Sequence, residues 1–180
     1  MSALAQLASL EPACTTAEVF DLFDALPTVR AEDILGPWTG REIATGHPLD
    51  GHLVASGWYG KRFDDTESVH PLLFRGAKGN IFAGDPGRMP LGLVSKVDPK
   101  KVEKLRRKLG GLHEPAIKTT KHRARLRNVE YRGKVSAAMV YDQLPIIDIF
   151  RQVDDDTLLG AMDQRGAANP YFFVLTRDNT

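Results

Sequence analysis

The last third of the chain alternates short apolar runs with turn signals at roughly ten-residue spacing, and this pattern constrains the fold most strongly. The runs have the length and the β-branched or aromatic content of strands, and the breaks between them suit hairpin connections. Five consecutive antiparallel strands favour a meander that closes, or nearly closes, into a barrel. The predicted strands are Ala124 to Tyr131, Lys134 to Tyr141, Ile146 to Val153, Thr157 to Asp163 and Tyr171 to Thr176.

Two helical patterns precede the strands. Thr15 and Glu18 have the spacing of a capping box, and the apolar residues after them recur at helical spacing until Pro27. A second brief helix is predicted between Thr28 and Leu35, because Gly36-Pro37 stops a helix. We interpret the pair as a lid or plug for the barrel.

The middle of the chain carries both helical and strand signals. Asp98 followed by Pro99 predicts the start of an inserted helix, which Gly110-Gly111 would stop. Further strands are predicted where apolar or aromatic runs are bounded by Gly, Asp, Asn and Pro. These runs are Leu53 to Phe63, His70 to Arg75 and Asn80 to Ala83.

The pattern predicts one mainly β (β+α) domain. Neither half of the chain has enough strands to close a barrel alone. We therefore expect residues 1–35 to be a helical lead-in and residues 36–180 to be a single antiparallel β-barrel domain.

Composition excludes several classes of protein. Hydrophobic residues make up 42% and charged residues 26% of the 180, with a net charge of +1, which predicts an ordinary globular protein and no nucleic-acid partner. The single cysteine, Cys14, excludes an intramolecular disulfide and a cysteine-based metal site, and it fits a reducing, cytoplasmic setting. No apolar run is long enough to span a bilayer, so we expect no membrane span.

The segment Gly36-Pro37-Trp38-Thr39-Gly40 spells Gly-x-Trp-x-Gly, and its surroundings resemble a bacterial family named for that motif. The runs Val135 to Asp142, Leu144 to Asp148 and Asp155 to Gly160 resemble the domain of unknown function that usually follows it. The first block covers about residues 36–95 and the second about 120–178. The resemblance implies no activity for particular residues.

A looser similarity is to lipocalin-like and nitrobindin-like barrels, which also place a Gly-x-Trp near the first strand. In those barrels the tryptophan closes one end, and the interior holds an apolar ligand or haem. This similarity implies a lipocalin-like barrel and leaves its function open.

Asp148 is the first catalytic candidate. Strand alternation places Ile146, Asp148 and Phe150 on one face, so an inward-facing Asp148 would be a carboxylate among apolar neighbours. Desolvation raises the pKa of such a group and fits it for acid or base catalysis, with His70 or Tyr141 as a partner. The alternative is a structural salt bridge to an arginine such as Arg125 or Arg127, which is the more common use of such a group.

His70 is the most informative histidine, because Leu72 and Phe74 would share its strand face. An imidazole facing a cavity suits a general base or the axial ligand of a haem, although a hydrogen-bonded, inert histidine is the more common case. His47 and His52 flank a turn without the spacing of a zinc site, so we predict no metal site. Walker, Rossmann and nucleophile-elbow motifs are also missing, so we predict no cofactor, with haem as the alternative.

Aromatic residues could line a ligand cavity, although any packed β core also uses them. The pair Trp58 and Tyr59 stands out because Lys61-Arg62 follows it and could present a cation at a cavity mouth. The predicted ligand-binding residues are Trp38, Trp58, Tyr59, Phe74, Phe150 and Phe173.

We therefore predict a barrel that encloses a small apolar molecule of isoprenoid or lipid type. If it is an enzyme, it is a cofactor-independent lyase or isomerase that uses acid–base chemistry, such as double-bond isomerisation or epoxide opening. The first rival is a non-catalytic lipid carrier or a haem protein with His70 as axial ligand. A second is an interaction module that uses the basic run Lys100 to Arg127, for which a solvated helix face is the simpler interpretation. Open strand edges near Asn80 or Tyr171 make a homodimer possible.

Overall fold

The computed structural model describes residues 1–89, 96–109 and 114–180. Within them, nine strands form one antiparallel sheet that closes on itself. Each strand pairs with the next one along the chain, except that β4 does not pair with β5. Instead β3 pairs with β5, and β1 pairs with β9, so that eight strands form a closed ring. β4 lies outside this ring and pairs with β3. The strands are β1 Gly36–Glu42, β2 Trp58–Phe63, β3 Val69–Arg75, β4 Ile81–Ala83, β5 Ala124–Tyr131, β6 Lys134–Tyr141, β7 Ile146–Asp154, β8 Thr157–Gln164 and β9 Tyr171–Arg177.

The mainly β prediction is confirmed, and the five C-terminal strands lie within a residue of their predicted ends. One predicted strand is partly wrong: Leu53 to Phe63 begins with a short helix, and β2 starts only at Trp58. Gly51 and Gly57, both with positive φ, bound that helix on either side. The helices are α1 Ala3–Leu10, α2 Thr16–Ala25, α3 His52–Ser56, α4 Pro99–Leu109 and α5 Glu114–Ile117, with 3₁₀ turns at Ala31–Ile34 and Pro86–Arg88.

The predicted helix starts are confirmed at α2 and α4. The Thr15 hydroxyl accepts from the Glu18 amide and the Glu18 carboxylate accepts from the Thr15 amide, which completes the capping box. The Lys100 amide donates to Asp98 Oδ1 at the start of α4. The predicted stop at Gly110-Gly111 lies outside the described residues, and α1 was not predicted at all.

Two hydrophobic cores share the sheet as a common wall. One fills the barrel, and the other lies between the outer faces of β7 to β9 and helices α1 and α2. Phe23 of α2 is fully buried in this outer core, and Phe20 meets Phe172 edge to face at 5.2 Å. The lid or plug interpretation is therefore wrong for α2. It packs on the outside of the wall because β7 to β9 are apolar on both faces.

The Gly-x-Trp-x-Gly motif closes one end of the barrel. Trp38 is 1% exposed and donates from Nε1 to the Ile34 carbonyl oxygen in the first 3₁₀ turn at 2.8 Å. Gly36 has a φ of +110°, which side chains rarely adopt. A Cβ at Gly40 would overlap the ring of Trp58 on β2. The motif thus supplies a turn, an end closure and room for a second tryptophan.

The ring has a narrow seam between β3 and β5. These strands share one Cα pair, Val69 with Ala124, because β4 occupies the rest of that edge of β3. The Arg123 amide adds a hydrogen bond to the Val69 carbonyl at 3.0 Å, and the Leu126 amide adds one to the Thr66 carbonyl at 2.8 Å. Among the described residues, no helix is both long enough and apolar enough to cross a membrane.

Candidate functional site

A cavity of about 180 Å³ lies inside the barrel, at the end opposite Trp38. Its walls are mostly apolar and aromatic side chains from the strands. Helices α3 and α4 cover it, with Leu53 and Val102 in the lining. The two helices are joined where Arg106 Nε donates to the Ala55 carbonyl at 3.0 Å. The cavity is therefore a partly enclosed apolar chamber under a small helical cover.

A buried ion pair lies in the wall of this chamber. Lys61 Nζ is 2.8 Å from Asp148 Oδ2, and the two side chains are 3% and 1% exposed. Lys61 Nζ also donates to the Pro71 carbonyl at 3.0 Å. Its ammonium lies 5.0 Å from the ring centre of Phe173, within the range of a cation–π contact. The ring centres of Trp58 and Tyr141 each lie 5.7 Å from the same ammonium nitrogen.

The carboxylate of Asp148 is only half satisfied. Oδ2 pairs with Lys61, whereas the buried Oδ1 has no hydrogen-bond partner among the described residues. Buried polar atoms in native proteins nearly always have a partner, so an exception needs an explanation. When it is ionised, this carboxylate can accept a proton from a molecule bound in the cavity. When it is protonated, it can donate a proton to that molecule.

Burial dominates the electrostatics of the site. It raises the pKa of Asp148, and the attraction of Lys61 opposes this shift without cancelling it. Burial also raises the pKa of Tyr141 well above its ordinary range, and the negative charge of Asp148 adds to the shift. The phenol of Tyr141 therefore remains protonated and can donate a hydrogen bond.

Strand alternation explains how Asp148 reaches the interior. Ile146 and Phe150 belong to the inner core and Ile149 and Val153 to the outer one, so Asp148 points inward, which the sequence alone left open. Its partner was not predicted. Lys61 shares a face with buried Phe63 on β2, and this alternation could have indicated that Lys61 points inward. A fully buried lysine is rare, so composition argued against that orientation.

The predicted arginine partners of Asp148 lie elsewhere. Arg125 Nε is 3.9 Å from Asp142 Oδ1, and Arg127 Nη1 is 2.7 Å from Glu67 Oε1. Both arginines are exposed on the outer face of β5. Asp148 therefore does form a buried salt bridge, but its partner is Lys61 of β2 and not an arginine.

The structure brings together some of the predicted site residues and separates others. Tyr141, Trp58 and Phe173 line the cavity with Asp148. Trp38 lies at the other end of the barrel, and the Tyr59 hydroxyl donates outside it to Asp178 at 2.6 Å. Phe74 and Phe150 are buried in the inner core without being part of the lining.

His70 is separated from the cavity by a bulge. The β2–β3 register shifts between Gly60 and Arg62, and His70 lies opposite Arg62. Residues opposite each other in paired strands share a face of the sheet, so His70 lies on the outer face with exposed Arg62. Leu72 lies on the inner face, so the expected alternation of His70 with Leu72 is wrong. Its imidazole packs against that of His122, with ring centres 4.5 Å apart and planes tilted by 47°. Burial lowers the pKa of His70, with a further contribution from Arg62.

Four larger depressions lie on the described surface outside the cavity, and two of them stand out. One, of about 350 Å³, lies between the loop at His47 and the turn at Gly166. The other, of about 530 Å³, lies beside Trp38 and Arg177. Among the residues described here, neither of these two is lined by a buried ion pair, so the smaller inner cavity is the better candidate for chemistry.

Comparisons with known proteins agree with the fold. Residues 21–79 match the family model described as GXWXG protein, and residues 122–177 match a domain of unknown function (DUF4334). A solved structure described as a protein from Thermomonospora curvata is 37% identical, with a TM-score of 0.73. The alignment covers 99% of this chain and all of that one. A comparison with curated proteins finds no match.

Proposed function

Since the chain belongs to the GXWXG protein family and carries its C-terminal domain of unknown function, we propose a function from the cavity itself. The barrel binds a small apolar molecule and transfers a proton to or from it without a cofactor. Asp148 is the acid or base, Lys61 holds and polarises it, and Tyr141 is a hydrogen-bond donor. The observation that carries the proposal is the unpartnered Oδ1 of buried Asp148 in an apolar cavity.

The cavity volume limits the ligand. A cavity of roughly 150 Å³ is enough for benzene. The 180 Å³ here therefore suits a compact hydrocarbon of similar or slightly larger size, such as a cyclic isoprenoid unit. A long fatty acid would need the cover formed by α3 and α4 to move. This narrows the expected isoprenoid or lipid class to its smallest members.

The ion pair supports catalysis rather than stability. A buried salt bridge seldom stabilises a fold more than apolar side chains of the same volume, because desolvation offsets the attraction. With a raised pKa, Asp148 can hold a proton and return it to a carbon or an ether oxygen. The Lys61 ammonium would stabilise negative charge that develops beside it. Isomerisation of a double bond balances when Asp148 removes a proton from one carbon and the same proton returns to another carbon. Epoxide opening balances when Asp148 protonates the ring oxygen, the C–O bond breaks, and the carboxylate then removes a proton from the neighbouring carbon to leave an allylic alcohol.

A haem bound through His70 does not fit the geometry. The imidazole of His70 is packed beside His122 and Asp64 and is not part of the cavity lining. The cavity is also smaller than the usual ligand pockets of about 300–1,000 Å³. A non-catalytic carrier of a small apolar molecule remains the second candidate, because the aromatic lining alone suffices for it.

Binding is tested first, with fluorescence. The chain has two tryptophans, of which Trp58 lines the cavity and Trp38 lies at the far end. Titration with compact cyclic olefins and epoxides should change the emission of the wild type and of Trp38→Phe. The Trp58→Phe variant should lose the response. An equal response in Trp58→Phe would place the ligand outside the cavity.

Turnover is tested next, on molecules that bind. Product formation, or deuterium uptake from heavy water, is compared between the wild type and Asp148→Asn. Loss of a general acid or base lowers the rate by about 10²–10⁴-fold, whereas binding should change little. Unchanged turnover in Asp148→Asn would exclude the proposed role of this residue. Binding without any turnover in the wild type would favour the carrier.

A further inference from the structure

A cluster of two imidazoles and one carboxylate lies on the barrel wall, away from the cavity. Asp64 follows β2, His70 belongs to β3, and His122 lies just before β5. One ligand atom from each residue lies within 4.8 Å of the other two. Asp64 Oδ2 is 3.2 Å from His122 Nε2 and 3.9 Å from His70 Nε2.

These three groups form a recognised set of metal ligands. Two histidines and one carboxylate bind Zn²⁺ or Fe²⁺ in many proteins and leave further positions for water. Bonds of about 2.0–2.1 Å place the ligand atoms of a tetrahedral ion about 3.3 Å apart. The two distances from Asp64 Oδ2 bracket that separation, and all three ligand atoms lie within 4.8 Å of one another, so the side chains need to close in around an ion without rearrangement of the strands.

The surroundings of the cluster favour a ligand role. The His70 side chain is 6% exposed, and its Nε2 faces Asp64 Oδ2 from beyond hydrogen-bond length, so an ion placed between them would break no hydrogen bond there. Arg62 Nε is 2.9 Å from Asp64 Oδ1, which orients the carboxylate so that Oδ2 faces the imidazoles. Arg62 Nη2 also lies 3.3 Å from Oδ2, and an incoming cation would replace this contact.

We propose that Asp64, His70 and His122 bind one divalent transition-metal ion, which ties the β2–β3 hairpin to the start of β5. The position gives the ion a structural task. The ring is closed there by a single Cα pair, Val69 with Ala124. The cluster also links the two matched blocks, because Asp64 and His70 lie in residues 21–79 and His122 begins residues 122–177. The ion would strengthen the weakest junction of the barrel.

Metal binding is measured on the full chain after removal of bound metal with a chelator. Titration calorimetry with Zn²⁺ should show one saturable site per chain, and Co²⁺ should give visible absorption bands at the same stoichiometry. His122→Ala should weaken Zn²⁺ binding by about tenfold or more. This histidine side chain is 40% exposed, so its loss should leave the fold intact. His47→Asn, which changes a histidine outside the cluster, should bind as the wild type does.

Hydrogen exchange tests the structural task. Zn²⁺ should slow amide exchange at Val69, Arg123 and Ala124 in the wild type but not in His122→Ala. Absence of one-to-one binding of Zn²⁺ and Co²⁺ would overturn the proposal, as would equal affinity in the wild type and His122→Ala. Binding that is lost in His47→Asn would move the site elsewhere and overturn the proposal equally.

Discussion

At the scale of single residues, the Lys61–Asp148 pair has the strongest expected effects. Burial raises the pKa of Asp148 and Lys61 lowers it, so Lys61→Met should raise it further. A carboxyl whose pKa is higher in the folded state binds more protons there. Its favourable contribution is present below the unfolded pKa of about 3.9 and is lost as the pH rises through the folded pKa.

We therefore expect Lys61→Met to lose free energy of unfolding relative to the wild type as the pH rises from the acidic range. At neutral pH the loss should reach about 3–5 kcal/mol, because one partner of a buried pair has been removed. Urea denaturation across the pH range measures it. The double variant Lys61→Met/Asp148→Leu should recover most of the loss and its pH dependence. If the double variant were as unstable as the single one, the charge of Asp148 would not be the cause.

The sequence predicted one half of this pair. Alternation placed Asp148 on one face with Ile146 and Phe150, but β7 is apolar on both faces, so the sequence could not show which face points inward. Lys61 and His70 could not be placed in the same way, because β2 and β3 pair with irregular register. Local alternation does not reveal a bulge, whose position depends on contacts with the neighbouring strand.

At the scale of elements, two glycines make room for the aromatic walls of the cavity. Gly40 of β1 faces the Trp58 ring, and Gly160 of β8 faces the Phe173 ring. Trp58 and Phe173 meet edge to face at 5.9 Å. The second glycine of the motif therefore has a physical role in the shape of the cavity.

Gly40→Ala should push Trp58 into the cavity and weaken ligand binding by more than it lowers stability. Overpacking of this kind costs about 1–3 kcal/mol. The matched control is Gly84→Ala, whose Cβ would overlap the ring of Phe74, which is outside the cavity lining. Both variants should unfold at lower urea concentration, but only Gly40→Ala should lose the Trp58 fluorescence response. Equal binding losses would show that overall stability, and not the position of Trp58, controls affinity.

The capping box of α2 offers a second test at this scale. Thr15→Ala removes the hydroxyl that accepts from the Glu18 amide, and it should lower the free energy of unfolding by about 0.5–2 kcal/mol. Because α2 packs on the outer wall and not over the cavity, ligand affinity should stay unchanged. Denaturation and fluorescence titration of the same variant measure the two quantities. Lost affinity would indicate that the outer core shapes the cavity.

At the scale of the whole molecule, the closed ring makes the two halves depend on each other. Strands β1 to β3 come from the GXWXG block, and β5 to β9 follow in the second half. β1 pairs with β9 and β3 with β5, so either half alone would expose two unpaired edges. The single-domain prediction followed from the strand count, whereas the narrow seam required the observed pairing of β3 with both β4 and β5.

We expect the full chain to unfold in one cooperative transition, because neither half retains a closed core without the other. Native-state hydrogen exchange in low denaturant should remove amide protection from β1 and β2 and from β7 and β8 at the same free energy. The seam amides at Val69 and Ala124 should open earlier, since a single Cα pair holds them. Separate transitions for the two blocks would instead mean that each folds alone. In that case the cavity, which takes Lys61 from one block and Asp148 from the other, would form only when they dock.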